Sequence, residues 1–302
     1  MARAAYGCAA TVKRLQRFKH NLLFLMKKIT FAWALLCALW GLPGHAQWPY
    51  DVPFVPSPQI VVDEMLRLAE VTKDDFVIDL GSGDGRILIT AAQKFGARGI
   101  GVDLDESLIE QSVANAQAAG VMDQVQFIRQ DLFKTDLSKA SVITLYLLPG
   151  VNMRLRPALL ALKPGTRIVA HDFELGDWKP DVKVTIRKNA MLWIVPANVA
   201  GRWRISVDFP EGERVFDVEI RQQYQEIDGV VRITDAIPGG LWQTSLRGDK
   251  VRFSIVDNAV RELEATMYFD GVVREGVMEG ELRRGVGVTQ TRHRWRAIRI
   301  PK

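Results

Sequence analysis

Between residues 76 and 172, short apolar runs alternate with segments of helical period, and no other feature restricts the fold as much. "FVIDL" is followed by "RILITAAQKFG", and "ARGIGVDL" by "SLIEQSVANAQAAG", a helix that should end at a capping Gly120. "VQFIRQDL" and "SVITLYLL" read as a third and fourth strand, "MRLRPALLAL" as a helix, and "KPGTRIVAHDF" as a turn and a fifth strand. Strands separated by helices of this length pair in parallel and bury both faces, because each crossover lays a helix across the sheet. "VKVTIRKNAMLWIVPA" reads as an antiparallel hairpin closing the sheet, and Val61, Val62, Met65, Leu66 and Leu68 mark a helix before it. One α/β domain is expected over residues 54–197.

From Asn198 the helical period disappears. Alternating runs such as "RWRISVDF", "VFDVEIRQQY", "KVRFSIVD", "LEATMYF" and "RHRWRAIRI" are set off by apparent turns at "DGVV", "RGDK" and "FDGVV". Residues 198–302 are therefore expected to form a small antiparallel all-β barrel or sandwich. Trp203, Trp242 and Trp295 lie in separate runs and are expected to fill its core. The opening "GRWR" and closing "WRAIR" resemble lipocalin-type barrels, and a purely structural cap is an equal alternative to ligand binding.

Residues 1–46 form a leader with seven Lys or Arg and no acid, leaving 33 basic against 35 acidic residues in the remainder. The high isoelectric point thus belongs to the leader, and nothing in the rest argues for nucleic acid. Both cysteines, Cys8 and Cys37, also lie in the leader, so the remainder has no disulfide, thiol nucleophile or cysteine metal site. From Met26, which can be the true start, two lysines precede an apolar run from Ile29 to Leu42 and a small-residue cut site before Gln47. That is the form of a secretory signal peptide, with an uncleaved membrane anchor or an organelle-targeting segment as rivals. The expected location is exported, periplasmic or membrane-anchored rather than cytoplasmic.

"FVIDLGSGDGRI" carries the chemistry. A strand runs into Gly81, Gly83 and Gly85, but Arg86 stands where a dinucleotide fingerprint has its third glycine. Asp79 enters the turn, and a carboxylate there attracts a cationic group and repels a pyrophosphate. Asp103 ends the second strand, the usual position for an acid bridging two ribose hydroxyls, with Leu104 beside it. Asp131 ends the third, where it can accept from an adenine amino group while Leu132 packs on the ring. A ribose, an adenine and a cationic amino-acid tail together describe S-adenosyl-L-methionine.

"DLGSGDG", "GVDLD" and "RQDLF" on successive strands resemble the class I S-adenosylmethionine-dependent methyltransferases over residues 54–197. The resemblance implies a Rossmann-like seven-stranded sheet with Asp79, Gly81, Ser82, Gly83, Asp103, Leu104, Asp131 and Leu132 around the cofactor. More narrowly, "FVPSP", "DLGSGDGRI" and "LYLLP" resemble the mitochondrial lysine methyltransferases that modify the ATP-synthase c-subunit and the adenine-nucleotide carrier. That implies a protein lysine as acceptor, in a membrane protein where the family pattern holds. "TLYLLPGVN" ends the fourth strand at the acceptor rim, which offers Tyr146 as donor or lining and Asn152 as a hydrogen-bonding group. Tyr146 packing on a helix is an equal alternative, and His171 and Asp172 end the fifth strand at the same rim. Two further functions remain open: a small-molecule methyltransferase, and an exported non-catalytic binding protein on the same scaffold. Export would separate the chain from the cytosol, where S-adenosylmethionine is made.

Overall fold

The computed structural model of the protein describes residues 54–233, 239–256, 266–285 and 290–301. The leader and every expectation attached to it lie outside these residues. Among the described residues no helix is long and apolar enough to cross a membrane.

Helix α1 (Gln59–Leu68) begins directly after Pro58 and buries Val61, Val62, Met65 and Leu66. It precedes β1 (Phe76–Leu80), α2 (Arg86–Phe95), β2 (Arg98–Asp103), α3 (Glu106–Ala119), β3 (Val125–Arg129), β4 (Val142–Leu145), α4 (Pro149–Leu160) and β5 (Arg167–His171). Gly96 and Gly120 end α2 and α3 in left-handed conformation, which costs a residue without Cβ nothing. Helix α4 starts earlier than its hydrophobic period implies, because Pro149 supplies a preset first turn and lacks the N–H a helix start leaves idle. The hairpin β6 (Val182–Thr185) and β7 (Asn189–Ile194) closes the sheet in the order β3-β2-β1-β4-β5-β7-β6. β1 to β5 pair in parallel, while β7 runs antiparallel to β5 and to β6.

Strand alternation sorts the core into two layers. Val77, Val142, Val169, Ala190 and Leu192 face α1 and α2, whereas Ile78, Leu80, Ile143, Leu145, Ile168 and Trp193 face Val151, Leu155 and Leu159 of α4. The strand order reverses between β1 and β4, so a crevice opens beyond their carboxyl ends.

The second sheet is a meander of nine strands: β8 (Gly201–Phe209), β9 (Gly212–Gln223), β10 (Glu226–Ile233), β11 (Gly239–Gly240), β12 (Trp242–Arg247), β13 (Lys250–Val256), β14 (Thr266–Arg274), β15 (Val277–Arg284) and β16 (Thr291–Arg299). First and last strands pair, giving the order β11-β10-β9-β8-β16-β15-β14-β13-β12 and a nearly closed barrel. Its interior is filled: Phe253 stacks on Phe269 at 4.8 Å, and Trp295 meets both rings edge-on at 5.8 and 5.4 Å.

Two expectations for this sheet need correction. Trp203 and Trp295 are buried, but Trp242 is 61% exposed. It lies next to an irregularity in the β12–β13 register between Trp242 and Ser245, and a register slip turns a side chain to the other face. "DGVV" and "FDGVV" are not turns but lie within β10 and β14. There the glycines admit close neighbours: a Cβ on Gly271 would lie 2.4 Å from the Trp295 ring, and one on Gly229 would lie 2.5 Å from the Glu219 carbonyl oxygen. "RGDK" does turn, joining β12 to β13 through Gly248 at φ 62°.

Candidate active site

Register decides which groups meet at the reversal point. Asp79 pairs with Gly101 on β2 and with Thr144 on β4, on the layer facing α1 and α2. The Thr144 hydroxyl donates to Asp79 Oδ1 at 2.6 Å, and Oδ2 is buried with no partner. Asp79 is 1% exposed. Burial pushes its carboxyl up to about 7; the Thr144 bond opposes this, and the charges of Asp103 and Asp84 add to it.

The glycine turn follows at once. Gly81, Gly83 and Gly85 have φ of 77°, 53° and 80°, a left-handed run that L side chains resist. Asp103 ties the turn to β2, since Oδ2 accepts from Gly83 N–H and Oδ1 from Asp105 N–H, each at 3.0 Å. Ser112 on α3 donates to the Gly83 carbonyl at 2.7 Å, while the Ser82 hydroxyl is buried without a partner. Leu104 is exposed beside Asp103.

Arg86 explains the missing third glycine. It is the first residue of α2, forks onto Asp84 through Nε at 2.9 and 3.1 Å, and donates from Nη1 to the Ser57 carbonyl at 2.9 Å. Burial raises the Asp84 carboxyl, but the Arg86 guanidinium outweighs it and holds the group below the usual range. The segment "FVPSP" is thereby strapped over the turn. A Cβ on Gly83 would lie 2.5 Å from the Phe54 ring.

The other half of the strap reaches the β5 rim. Ser57 Oγ and His171 Nδ1 are 2.9 Å apart, and the Tyr146 ring stacks on His171 with centroids 3.8 Å apart. Tyr146 also lies parallel to Phe173 at 6.1 Å. His171 Nε2 is buried and unpartnered, and burial pushes the imidazole below its ordinary range; Asp172 opposes this shift and Lys188 adds to it. Asn152 sits in the first turn of α4, fully buried, and donates to the carbonyls of Phe173 and Glu174 at 3.3 Å each. Its side chain therefore serves the loop after β5.

Asp131 lies two residues beyond β3 rather than at its end, and caps the following short turn, accepting from Phe133 N–H at 2.9 Å, with Lys134 Nζ 3.7 Å away. Leu132 packs half-buried against the α4-side core. The structure thus joins Asp79, Ser82, Gly83 and Asp103 around one turn, and Tyr146 with His171 at one rim. Asp131 and Asn152 flank these groups; each bonds local backbone through one atom, and Asn152 Oδ1 is buried without a partner. Sequence reading missed Thr144 and Ser57, and it named Arg86 only as the residue in place of a third glycine. Parity along β4 was the available signal for Thr144, because residues 144 and 146 share a face; nothing local marked the contact between Arg86 and Ser57. Among the described residues no three His, Asp or Glu side chains gather as a metal-binding group.

A family model described as the ANTKMT methyltransferase domain matches residues 79–182. The chain is 41% identical over 152 residues to a protein-lysine N-methyltransferase of Saccharolobus islandicus (strain REY15A), covering 50% of this chain and 94% of that protein. It is 34% identical over 131 residues to the ATP synthase C-subunit lysine N-methyltransferase of Mus musculus, covering 43% of this chain and 52% of that one. The adenine nucleotide translocase lysine N-methyltransferase of Mus musculus is 33% identical over 151 residues, with coverage of 49% and 64%. The chain therefore spans only about half to two thirds of these two mouse proteins. A solved RNA methyltransferase from Salinibacter ruber, in complex with S-adenosyl-L-homocysteine, is 50% identical, covers 48% of this chain and 96% of its own, and superposes with a TM-score of 0.47. With its glycine turn at the strand reversal and a 41% identical relative covered almost end to end, the chain belongs to the S-adenosylmethionine-dependent methyltransferases, in the family of the ANTKMT methyltransferase domain.

Proposed function

We propose that this protein is a protein-lysine N-methyltransferase. The observation that carries this reading is the 41% identity to the Saccharolobus protein-lysine N-methyltransferase across 94% of that protein. The mouse relatives' names give lysines of an ATP synthase component and of the adenine nucleotide translocase as their acceptors. Exposed Phe54 and Val55 in the strap and Leu148 after β4 suit an acceptor lysine flanked by apolar residues, as in a membrane protein.

The cofactor fits the polar groups available. Asp79 Oδ2, buried and unpartnered, suits the ammonium of the amino-acid end, and the Ser82 hydroxyl suits its carboxylate. Both Asp103 oxygens keep a lone pair after their backbone bonds and suit the two ribose hydroxyls. Asp131 suits the adenine amino group, Leu132 and Leu104 suit the faces of the ring, and Gly81 and Gly83 let the backbone come close. When bound, S-adenosylmethionine supplies a methyl group already activated on a positive sulfur.

The remaining work belongs to the chain. A lysine amine titrates near ~10.4 in water and attacks only when neutral, so the rim has to strip water from it and hold it in line. Tyr146 lines that rim, with its ring fixed by His171, and Asn152 acts from behind by holding the loop at Phe173 and Glu174. Burial disfavours the charged form of His171.

The test uses S-adenosylmethionine labelled in the methyl group and total extract from cells of the source organism. Label in a protein band, mapped by mass to a lysine, is the expected result. Label confined to small molecules or to ribonuclease-sensitive material would overturn the lysine reading.

A further inference from the structure

We infer that the turn joining β9 to β10 is a positioning element of the acceptor site, acting through the loop between β5 and β6. This rests on the reading that the acceptor enters at the β4 and β5 rim. The loop, residues 172–181, starts at the site: Asp172 has φ 61°, Phe173 N–H bonds back to the His171 carbonyl at 2.7 Å, and Phe173 lies parallel to Tyr146. Its near half is held by Asn152. Its far half is held by the barrel.

Gln225 makes two bonds to that far half. Its Oε1 accepts from the Trp178 indole N–H at 2.9 Å, and its Nε2 donates to the Lys179 carbonyl at 2.7 Å. Trp178 is fully buried, stacked on Tyr224 at 5.8 Å, and its carbonyl accepts from Trp193 of β7 at 2.8 Å. The Tyr224 hydroxyl donates to Asp177 Oδ2 at 3.0 Å. Asp177 also pairs with Arg156 of α4, whose guanidinium donates to the Leu175 carbonyl at 3.1 Å. One helix that starts at the acceptor rim and one turn from the barrel thus grip the same loop.

The turn itself is built to be rigid. Tyr224 has φ 55°, a left-handed conformation that most side chains avoid. Gln222 stabilises it by donating to the Tyr224 carbonyl at 2.7 Å and to the Ala197 carbonyl at 2.9 Å. Its Oε1 accepts from Val199 N–H at 2.8 Å and from Ala200 N–H at 3.1 Å. A hairpin needing only reversal takes Asn or Gly at such positions. A tyrosine held there at some strain, with its ring on Trp178 and its hydroxyl on Asp177, indicates that the side chain is what the turn presents.

The test compares full-length wild type with Gln225→Ala and Tyr224→Phe; the second keeps the ring and removes only the hydroxyl. Amide hydrogen exchange is read across residues 172–181 and across the glycine turn, and cofactor affinity is measured calorimetrically with S-adenosyl-L-homocysteine. Initial rates of labelled-methyl transfer are taken against rising extract concentration. In Gln225→Ala the loop should exchange faster by about tenfold while the glycine turn is unchanged. The half-saturating extract concentration should rise about fivefold, part of what loss of both Gln225 hydrogen bonds implies, with maximal rate and cofactor affinity within about twofold. Tyr224→Phe should move the same readouts less. An unchanged loop, or a looser loop with unchanged half-saturation, overturns the inference, and so does a parallel loss of cofactor affinity. Label found outside protein would sink the lysine reading alone, because the split is then measured on that acceptor.

Discussion

The two ends of the parallel sheet treat a buried carboxylate in opposite ways. At the amino end, Asp75 beside β1 accepts from Ser141 Oγ at 2.6 Å, from Thr72 N–H at 2.8 Å and from the Arg167 guanidinium. Burial alone would raise its carboxyl, but these three partners outweigh burial and hold it below the usual range. At the carboxyl end, Asp79 has one hydroxyl partner and two repelling acids, and is pushed up to about 7. Every buried side-chain polar atom without a partner among the described residues belongs to Asp79, Ser82, Asn152 or His171, all at the carboxyl end. One end of the sheet is satisfied within the fold, and the other leaves buried polar atoms without a partner among the described residues.

The largest expected effect tests the amino end. Asp75→Ala leaves Arg167 and Ser141 without their shared acceptor, and should lower unfolding free energy by ~3 kcal/mol or more, as breaking a buried pair does. Chemical denaturation should report that loss while cofactor affinity in the folded protein stays unchanged. A drop in affinity would mean that the two ends are not independent.

Asp79→Asn should do the reverse. The folded carboxyl has its pKa raised from 3.8 to about 7, so between those values the folded state binds more protons than the unfolded one. Wild-type stability should therefore fall as pH rises through that window, and the penalty is complete above about pH 7. The asparagine variant should gain on the order of 2–4 kcal/mol over wild type at pH 9 and almost nothing at pH 4, measured without cofactor. Its affinity for S-adenosylmethionine should collapse nonetheless. If the variant is no more stable at pH 9, Asp79 does not carry the buried charge described here.

Asp103→Ala should weaken S-adenosylmethionine by ~1.5–3 kcal/mol, the range for a lost hydrogen bond to a charged group. Calorimetry on protein lacking residues 1–46 measures this directly, and absence of any heat from wild type would end the assignment of this pocket. A smaller effect is a slope. Because the cationic ligand favours ionised Asp79, its dissociation constant should rise as pH falls below about 7, by at most tenfold per pH unit. Asp79→Asn should abolish that slope.

Truncation at Pro196 tests a different division, between the two sheets. We propose that residues 198–302 leave cofactor binding to residues 54–197 and affect acceptor use, so affinity should stay within about threefold, under ~0.7 kcal/mol. Trp178 would lose its cover of Tyr224 and Gln225, which makes the point variants at that turn the cleaner experiment.

The alternation of periods between residues 76 and 172 was enough to determine a parallel sheet, because strand and helix periods differ and a crossover admits one pairing sense. Asp79, the three glycines and Asp103 were legible for a related reason: a turn of left-handed glycines and an acid at a strand end are local signatures. What failed was also local in origin. Gly229 and Gly271 looked like turns, but each serves a neighbour on another strand, and the slip beside Trp242 depends on pairing with β13. The Thr144 bond to Asp79 spans 65 residues, the Ser57 contact with His171 spans 114, and the Trp178 bond to Gln225 spans 47 and joins two sheets. Such contacts arise from register and packing between elements, so only the tertiary structure decided them. A side chain's type limits the bonds it can make, and the fold alone brings its partner within reach.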